Sequence, residues 1–452
     1  MKTRIGIALV ALLALTAVPA LATDGYFQLG YGTAQNGMGG AGVALSLNTM
    51  SPATNPAGNA WATGYDLSVA VFNPNREFTV TGSPSGYPGT FGLQPGTVKS
   101  GTSVFLMPSI GANWKLNDQM TFGVAMYGNG GMNTNYDASV FLMPSIGANW
   151  KLNDQMTLGV AMYGNGGMNT AYEESVFYAG RTGVNLMQMY IAPTFTYKIA
   201  DAHAFGISPV LGWQRFQVEG VGSFAPYSSS PSNLSNNGFD SSLGWGVRIG
   251  YLGKLTPWLS VGASYQTEME MQKFEKYSGL YAEQGDFDIP ANWTVGVAIK
   301  PVDSFTVAFD VQQIYYSNTE SIGNPMLPNL MTARLGDDGG AGFGWKDVTA
   351  YKLGLQWVAS PSLTLRAGYA YAKQPIPESE VLFNILAPGT IEQHITLGAS
   401  ANVGAKTKLN FAVVRALSHS VTGPNPLEVP GMQTIELKMD QWVFDLGLSV
   451  GF

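Results

Sequence analysis

Enzymes show themselves through nucleophiles, bases and metal ligands held at workable spacings, and this 452-residue chain offers few of them. It has no cysteine and three histidines, His203, His394 and His419. His203 falls in an expected short turn. The other two fall on expected strands, far apart and with no carboxylate at a shared spacing. Metal centres and Ser/His/Asp relays depend on convergent geometry that such a scatter does not suggest. The run Gly37-Met38-Gly39-Gly40-Ala41-Gly42 superficially matches a phosphate-cradling glycine loop. A dinucleotide site, though, needs a strand before that loop, a helix after it and an acidic residue about 20 positions on, and none of these is visible. No catalytic residue, metal or cofactor is expected; a hydrolase would have to rest on His394 or His419.

What the chain has instead is apolar side chains in turn-rich stretches. Phe224, Leu234 and Phe239 share one such stretch, Met269, Met271, Phe274, Leu280 and Tyr281 a second, and Met326, Leu327, Leu330 and Met331 a third. Exposed loops rarely carry contiguous apolar patches unless they bind something, and methionine adapts to ligands of varied shape. Two readings stay open. Either the loops bury these groups against one another, or they capture an apolar ligand, with Phe274, Leu280 and Tyr281 as candidate contacts.

Composition says what must carry those loops. Hydrophobic residues make up 45% of the chain and charged ones 12%, against roughly 25% charged in soluble domains. Yet no window after the N-terminus supplies the roughly 20 apolar residues of a spanning helix. Low charge without such helices points to a transmembrane antiparallel β-barrel, whose strands alternate between lipid and lumen and so escape hydropathy scans. The net charge of −7 argues against a nucleic-acid partner. Absence of cysteine is compatible with an oxidising envelope compartment. At the start, Lys2 and Arg4, an apolar run from Ile5 to Val18 and Ala20-Leu21-Ala22 form an export signal with its cleavage site. Residues 1–22 are therefore expected to be a signal peptide.

Residues 23–63 show no alternation, only small residues and the Asn55-Pro56-Ala57-Gly58 turn, so they suit a compact plug, or hatch, rather than a wall. The barrel is expected to occupy residues 64–452. Its first strand is placed at 64–81, followed by a loop to Ser100, and later strands at 186–199, 203–219, 242–254, 258–270, 286–300, 304–317, 347–358, 362–373, 391–403, 407–421 and 434–452. Short turns alternate with long loops at 220–241, 271–285, 318–346, 374–390 and 422–433, as in outer-membrane barrels. In the last strand Trp442, Phe444, Leu446, Leu448, Val450 and Phe452 alternate with Gln441, Asp445, Gly447, Ser449 and Gly451. Arg366, between Leu365 and Ala367, belongs on the lumen face, since on the lipid face near the midplane it would cost about 2–4 kcal/mol. There it would anchor the plug or line a ligand route.

Between these strands the chain repeats itself. Residues 103–136 recur as 139–172, with Phe122 replaced by Leu158 and Asn135 by Ala171. Each copy reads as one hairpin, so the barrel has 16 strands if the duplicated hairpin is inserted in the wall and 14 otherwise. A pair of strands keeps the count even and leaves both termini on the same side. An extruded hairpin and a duplication introduced by sequence assembly are the rival readings.

The small-residue run from Gly37 to Ala44, then Asn55-Pro56-Ala57 just ahead of the first strand, then Leu363-Thr364-Leu365-Arg366-Ala367-Gly368-Tyr369-Ala370-Tyr371 with Pro375 and Pro377, occur in the order that resembles the FadL/TodX family of outer-membrane transporters. The resemblance implies a 14-strand barrel with an N-terminal hatch, no enzymatic activity, and a Gram-negative outer-membrane location. It implies a hydrophobic cargo, either long-chain fatty acids or hydrocarbons, captured at the outer loops, bound beside the hatch and released sideways into the membrane. Tyr26 and Phe27 would lie nearest the cargo, and Asn55, Pro56 and Ala57 would hold the hatch. The sideways exit, a kink in the family's third strand, would fall at Met120 to Gly128 or at Met156 to Gly164. A fatty acid would favour a cation, for which Arg181, Arg215, Arg248 and Arg366 are available. Implied partners are outer-membrane lipid, lipopolysaccharide and the barrel assembly machinery, which would read the terminal Phe452. A general diffusion porin or a structural outer-membrane protein are the alternatives, the porin disfavoured by a long segment ahead of strand one.

Overall fold

Strict alternation in the sequence becomes a two-faced wall. The computed structural model describes residues 23–450 apart from 49, 62–64, 102–104, 116–120, 128–147 and 152–155. In Thr434–Val450 the expected split holds: Leu446 is 60% exposed on the outer face while Asp445, one position away, is 3% exposed on the inner one. The same period gives an outer belt of large apolar groups on neighbouring strands, among them Phe205, Leu211, Leu243, Trp245 and Leu353. Such a belt suits lipid rather than water. No helix among the described residues is long and apolar enough to cross a membrane.

Fourteen strands of eight or more residues build the wall, each antiparallel to its neighbour, and the last pairs with the first from Val450↔Tyr65 to Thr434↔Thr81. The duplicated segment contributes two further, shorter strands. Thr121–Tyr127 pairs with Phe105–Lys115, and Ala148–Lys151 pairs with Met156–Tyr172. Among the described residues no ladder joins these two short strands, so the antiparallel barrel is nearly closed with its seam inside the repeat. The choice between 16 and 14 strands turns on residues 128–147, which lie outside the described ones, as do residues 1–22 of the expected signal peptide and the terminal Phe452.

Element boundaries follow expectation within a few residues, with two departures. The strand expected at 286–300 begins at Asn292. Phe287 and Ile289 alternate convincingly, but Pro290 has no N–H to give a ladder, and both apolar side chains are buried inside the barrel mouth. In the loop expected to run to Ser100, Gly96–Lys99 forms a short strand against Glu77 to Val80.

Residues 23–61 lie against the inner face of the wall in short helical turns, Thr33–Asn36, Ser51–Thr54 and Pro56–Trp61. Thr33 Oγ1 donates to Asp445 Oδ1 at 2.8 Å, Gly39 N to Thr396 Oγ1 at 2.8 Å, and Gly42 N and Val43 N to Asp310 Oδ2 at 2.7 and 2.9 Å. Asn55 Nδ2 donates to Tyr251 O at 2.8 Å, and Thr196 Oγ1 donates to Pro56 O at 2.9 Å. These acceptors and donors sit on strands around the barrel, so the segment is fastened across the lumen. Two glycines make the closest approach possible. Gly39 takes φ +64°, and a Cβ on Gly368 of the wall would stand 2.1 Å from the Gly39 nitrogen, far inside contact distance. Gly368→Ala is accordingly expected to push the segment off the wall, lowering the urea midpoint of the refolded barrel and raising leakage of small sugars from liposomes that carry it.

Candidate functional site

The chemistry-bearing residues are placed apart. His203 Nδ1 lies 2.9 Å from the Tyr251 hydroxyl, and His419 Nε2 lies 3.6 Å from Glu392. His394 is fully buried on the wall. Among the described residues no group of His, Cys, Asp or Glu has the arrangement to hold a metal ion.

What the fold does bring together is aromatic. Tyr26 and Phe27, at the start of the inner segment, are 3% and 2% exposed. Tyr26 stands 5.3 Å from the ring of Tyr316 and 6.0 Å from that of Trp345, which meet edge to face at 5.2 Å. The backbone of the segment is locked into this cluster. Tyr26 N donates to the Tyr316 hydroxyl at 3.2 Å, which donates in turn to Asp24 O at 2.6 Å. Trp345 Nε1 donates to Asn384 Oδ1 at 2.6 Å. Edge-to-face pairs add about 0.5–1.5 kcal/mol each to what burial supplies.

Over this cluster are two apolar cavities. The one at the loop end lies between Phe177, Phe216, Phe224, Leu234, Phe383 and their neighbours. The deeper one has Tyr26, Leu186, Phe287 and Trp345 in its wall. Val184, Tyr281 and Phe343 line both, so the two are adjacent. Burial holds the phenols of Tyr26 and Tyr281 well above their ordinary pKa, so both stay neutral. On the other side of the same segment the surroundings are polar. Phe27 and Leu29 share a space of about 460 Å³ with Arg248, Asn292, Asp310 and Lys352. There Lys352 Nζ reaches Asp24 Oδ2 at 2.8 Å, Leu29 O at 2.9 Å and Gln312 Oε1 at 2.8 Å, which engages all three of its N–H groups.

Phe27 also makes the segment's one backbone pairing to the wall within the ladder, to Gly166 of Met156–Tyr172, beside a register shift between Gly164 and Gly166. A shift of this kind bends a strand locally. It falls in the second copy of the repeat.

The expected ligand contacts divide. Leu280 and Tyr281 line the outer cavity and Tyr26 the inner one. Phe274 lies behind the lining, buried against Phe216 at 5.5 Å. Phe27 belongs to the same aromatic cluster, 5.8 Å from Tyr316. Arg366 reaches neither cavity; its Nε and Nη1 donate to Gln356 and Ser400 of adjacent strands at 2.9 and 2.6 Å. Of the apolar loop residues, Phe224, Leu234, Met326 and Leu330 are buried, whereas Met331 is 66% exposed. The loops therefore do fold over one another, and the cavities remain between them. Phe177, Phe343, Trp345 and Phe383 were not singled out by sequence reasoning, although each is an aromatic in a turn-rich stretch.

The deeper cavity has acidic neighbours. Asp286 and Asp288 flank Phe287, and burial, together with neighbouring carboxylates, pushes them up to about 6 and about 7. Glu268 is raised for the same reasons and accepts from Thr319 Oγ1 at 3.2 Å.

The profile of a family described as outer membrane protein transport protein (OMPP1/FadL/TodX) matches residues 140–426. No curated protein matches the chain in sequence. Among solved structures, the toluene transporter TodX of P. putida superposes with a TM-score of 0.61 at 18% identity, over 94% of this chain and 99% of that one. A FadL homologue of Pseudomonas aeruginosa gives 0.61 at 15% identity over 95% and 100%. The toluene transporter TbuX of Ralstonia pickettii gives 0.55 at 15% identity over 94% and 99%.

Proposed function

The chain belongs to the OMPP1/FadL/TodX family of outer-membrane transport proteins, and from that premise we propose that it takes up hydrophobic molecules across the outer membrane of a Gram-negative bacterium by passing them through the two adjacent cavities to Tyr26. The observation that carries this route is the adjacency of the cavities, which share Val184, Tyr281 and Phe343 as lining: in this reading an apolar path runs from Phe224 and Leu280 in the loops, through a neck at Val184, to Tyr26 and Trp345. A hydrophobic molecule gains along the whole of it by leaving water.

In this reading residues 23–63, exposed as a new N-terminus once residues 1–22 are removed, act as a hatch, held in part by Asn55, Pro56 and Ala57. Leu280 and Tyr281 capture the cargo, with Phe274 supporting them, and Tyr26 receives it. Arg366 braces the wall. Release is sideways, beside Phe27. Two features support that direction. Below Tyr26 the space is lined by Arg248, Asp310 and Lys352, a poor environment for a hydrocarbon. At the same height the ladder is interrupted between Gly164 and Gly166, which supports the second of the two expected exit positions. Lipid and lipopolysaccharide surround the outer belt, and the assembly machinery delivers the barrel.

The test is equilibrium binding of a fluorescent long-chain acid and of a small radiolabelled arene to detergent-purified protein, with and without residues 23–30. Saturable binding of either, weakened at least tenfold by the deletion, is expected. Binding of neither sinks the uptake reading.

A further inference from the structure

Resting on that uptake role, we infer that the cargo enters as an uncharged molecule, and that ionised carboxylic acids are turned away by a cation-free chamber with carboxylates beside it. Neither cavity has a lysine, arginine or histidine among the described residues of its lining. The polar groups available there are the hydroxyls of Tyr26, Tyr281 and Ser321 and the indole of Trp345, itself committed to Asn384. An ionised carboxylate moved into such a space loses its water and finds no counter-charge, the most costly kind of burial.

The cations that could serve a carboxylate are held elsewhere. Arg181 pairs with Glu173 at 3.4 Å. Arg215 lies over the ring of Phe239 at 3.6 Å, Arg248 donates to Ala53 O and Gln266 Oε1, and Arg366 donates to Gln356 and Ser400. Lys352 has its three donors engaged below Tyr26.

Neighbouring carboxylates add repulsion. The stretch from 268 to 288, which places Leu280, Tyr281 and Phe287 on the path, carries Glu268, Glu270, Glu275, Glu283, Asp286 and Asp288 against Lys273 and Lys276. Neither lysine is aimed inward: Lys273 Nζ bonds Gln284 Oε1 at 3.5 Å, and Lys276 Nζ bonds Phe239 O at 2.8 Å. The 318–346 loop brings Glu320, Asp337 and Asp338 against Arg334 and Lys346, with Asp338 accepting from Gln284 Nε2 at 2.9 Å. Glu270 and Glu275 are exposed and so open to screening by salt, and the repulsion that a second carboxylate meets weakens as ionic strength rises. A neutral hydrocarbon, alcohol or ester meets none.

The experiment compares a size-matched pair, p-xylene and p-toluate, on the detergent-purified full chain at pH 7.5 and low salt. p-Xylene is expected to bind at least tenfold more tightly. Raising sodium chloride from 10 to 500 mM shortens the Debye length from about 30 Å to a few ångströms and is expected to strengthen p-toluate binding at least threefold in the unmodified protein. Glu268→Gln and Asp288→Asn, each checked for barrel folding by migration of the unheated protein, are expected to narrow the ratio at least threefold. Equal affinities, or tighter p-toluate, overturn the exclusion and leave the uptake route standing. Absence of binding by both probes overturns the uptake route and the exclusion with it.

Discussion

Val184→Trp is expected to lower binding of a hydrophobic probe at Tyr26 by at least tenfold and to abolish its uptake by cells, while the barrel still folds. Val184 is 7% exposed and belongs to the wall of both cavities. The position projects from Thr182–Ala200, so an indole there has the neck to fill and little else to displace. Overpacking a tight site costs about 1–3 kcal/mol, too little to unfold a barrel in which Thr182–Ala200 is laddered to the strands on both its sides. The check pairs two readouts, equilibrium binding of a small arene and its accumulation in cells. Unchanged binding with lost uptake would place the obstruction below the cargo site and remove the neck from the route. Wild-type behaviour in both would show that the cavities are not the path.

Lys352→Met is expected to be the most destabilising single change in the lumen. The 2.8 Å pair with Asp24 is almost wholly buried, with side-chain exposures of 4% and 0%. Removing one partner of such a pair costs about 3–5 kcal/mol, because the other charge is left without compensation. Removing both is far milder, so Asp24→Leu combined with Lys352→Met should recover most of the loss. Urea unfolding of the barrel in phospholipid vesicles measures all three variants. A double variant no better than Lys352→Met alone would show that Lys352 acts through Leu29 O and Gln312 rather than through the ion pair.

Much of this architecture was legible before any coordinates. Period-two alternation gave the faces of the strands, as at Asp445 and Leu446, because a pleated strand leaves a side chain no other choice. Asn55-Pro56-Ala57 was singled out through the resemblance alone; that Asn55 bonds Val43, Tyr251 and Ala57 together is set by tertiary contacts no local pattern announces. The aromatic box around Tyr26 was not legible. Tyr316, Trp345 and Asn384 meet only because three loops converge, and nothing periodic in a loop says which other loop it will touch. Arg366 shows the same limit within the wall. Alternation put it on the inner face, but its partners, Gln356 and Ser400, are set by the register of both neighbouring strands. The stretch from Asp286 to Ile289 misled for a physical reason, being alternating and apolar yet ended by a proline.

The repeated hairpin raises a problem of self-recognition. Two segments that differ at two positions compete for the same neighbours, and loop-closure entropy separates them weakly, by about 0.6 kcal/mol for each doubling of loop length. One of the two differing letters lies where it counts. Ala171, 3% exposed, faces Gly183 in the paired strand, and its Cβ stands 3.7 Å from where a Cβ on that glycine would be. The first copy carries Asn135 at the equivalent place, and burying its amide there without a partner would cost about 1–3 kcal/mol. Alanine at 171 thus suits the second copy to the place beside Thr182–Ala200, to which it also has the shorter connection.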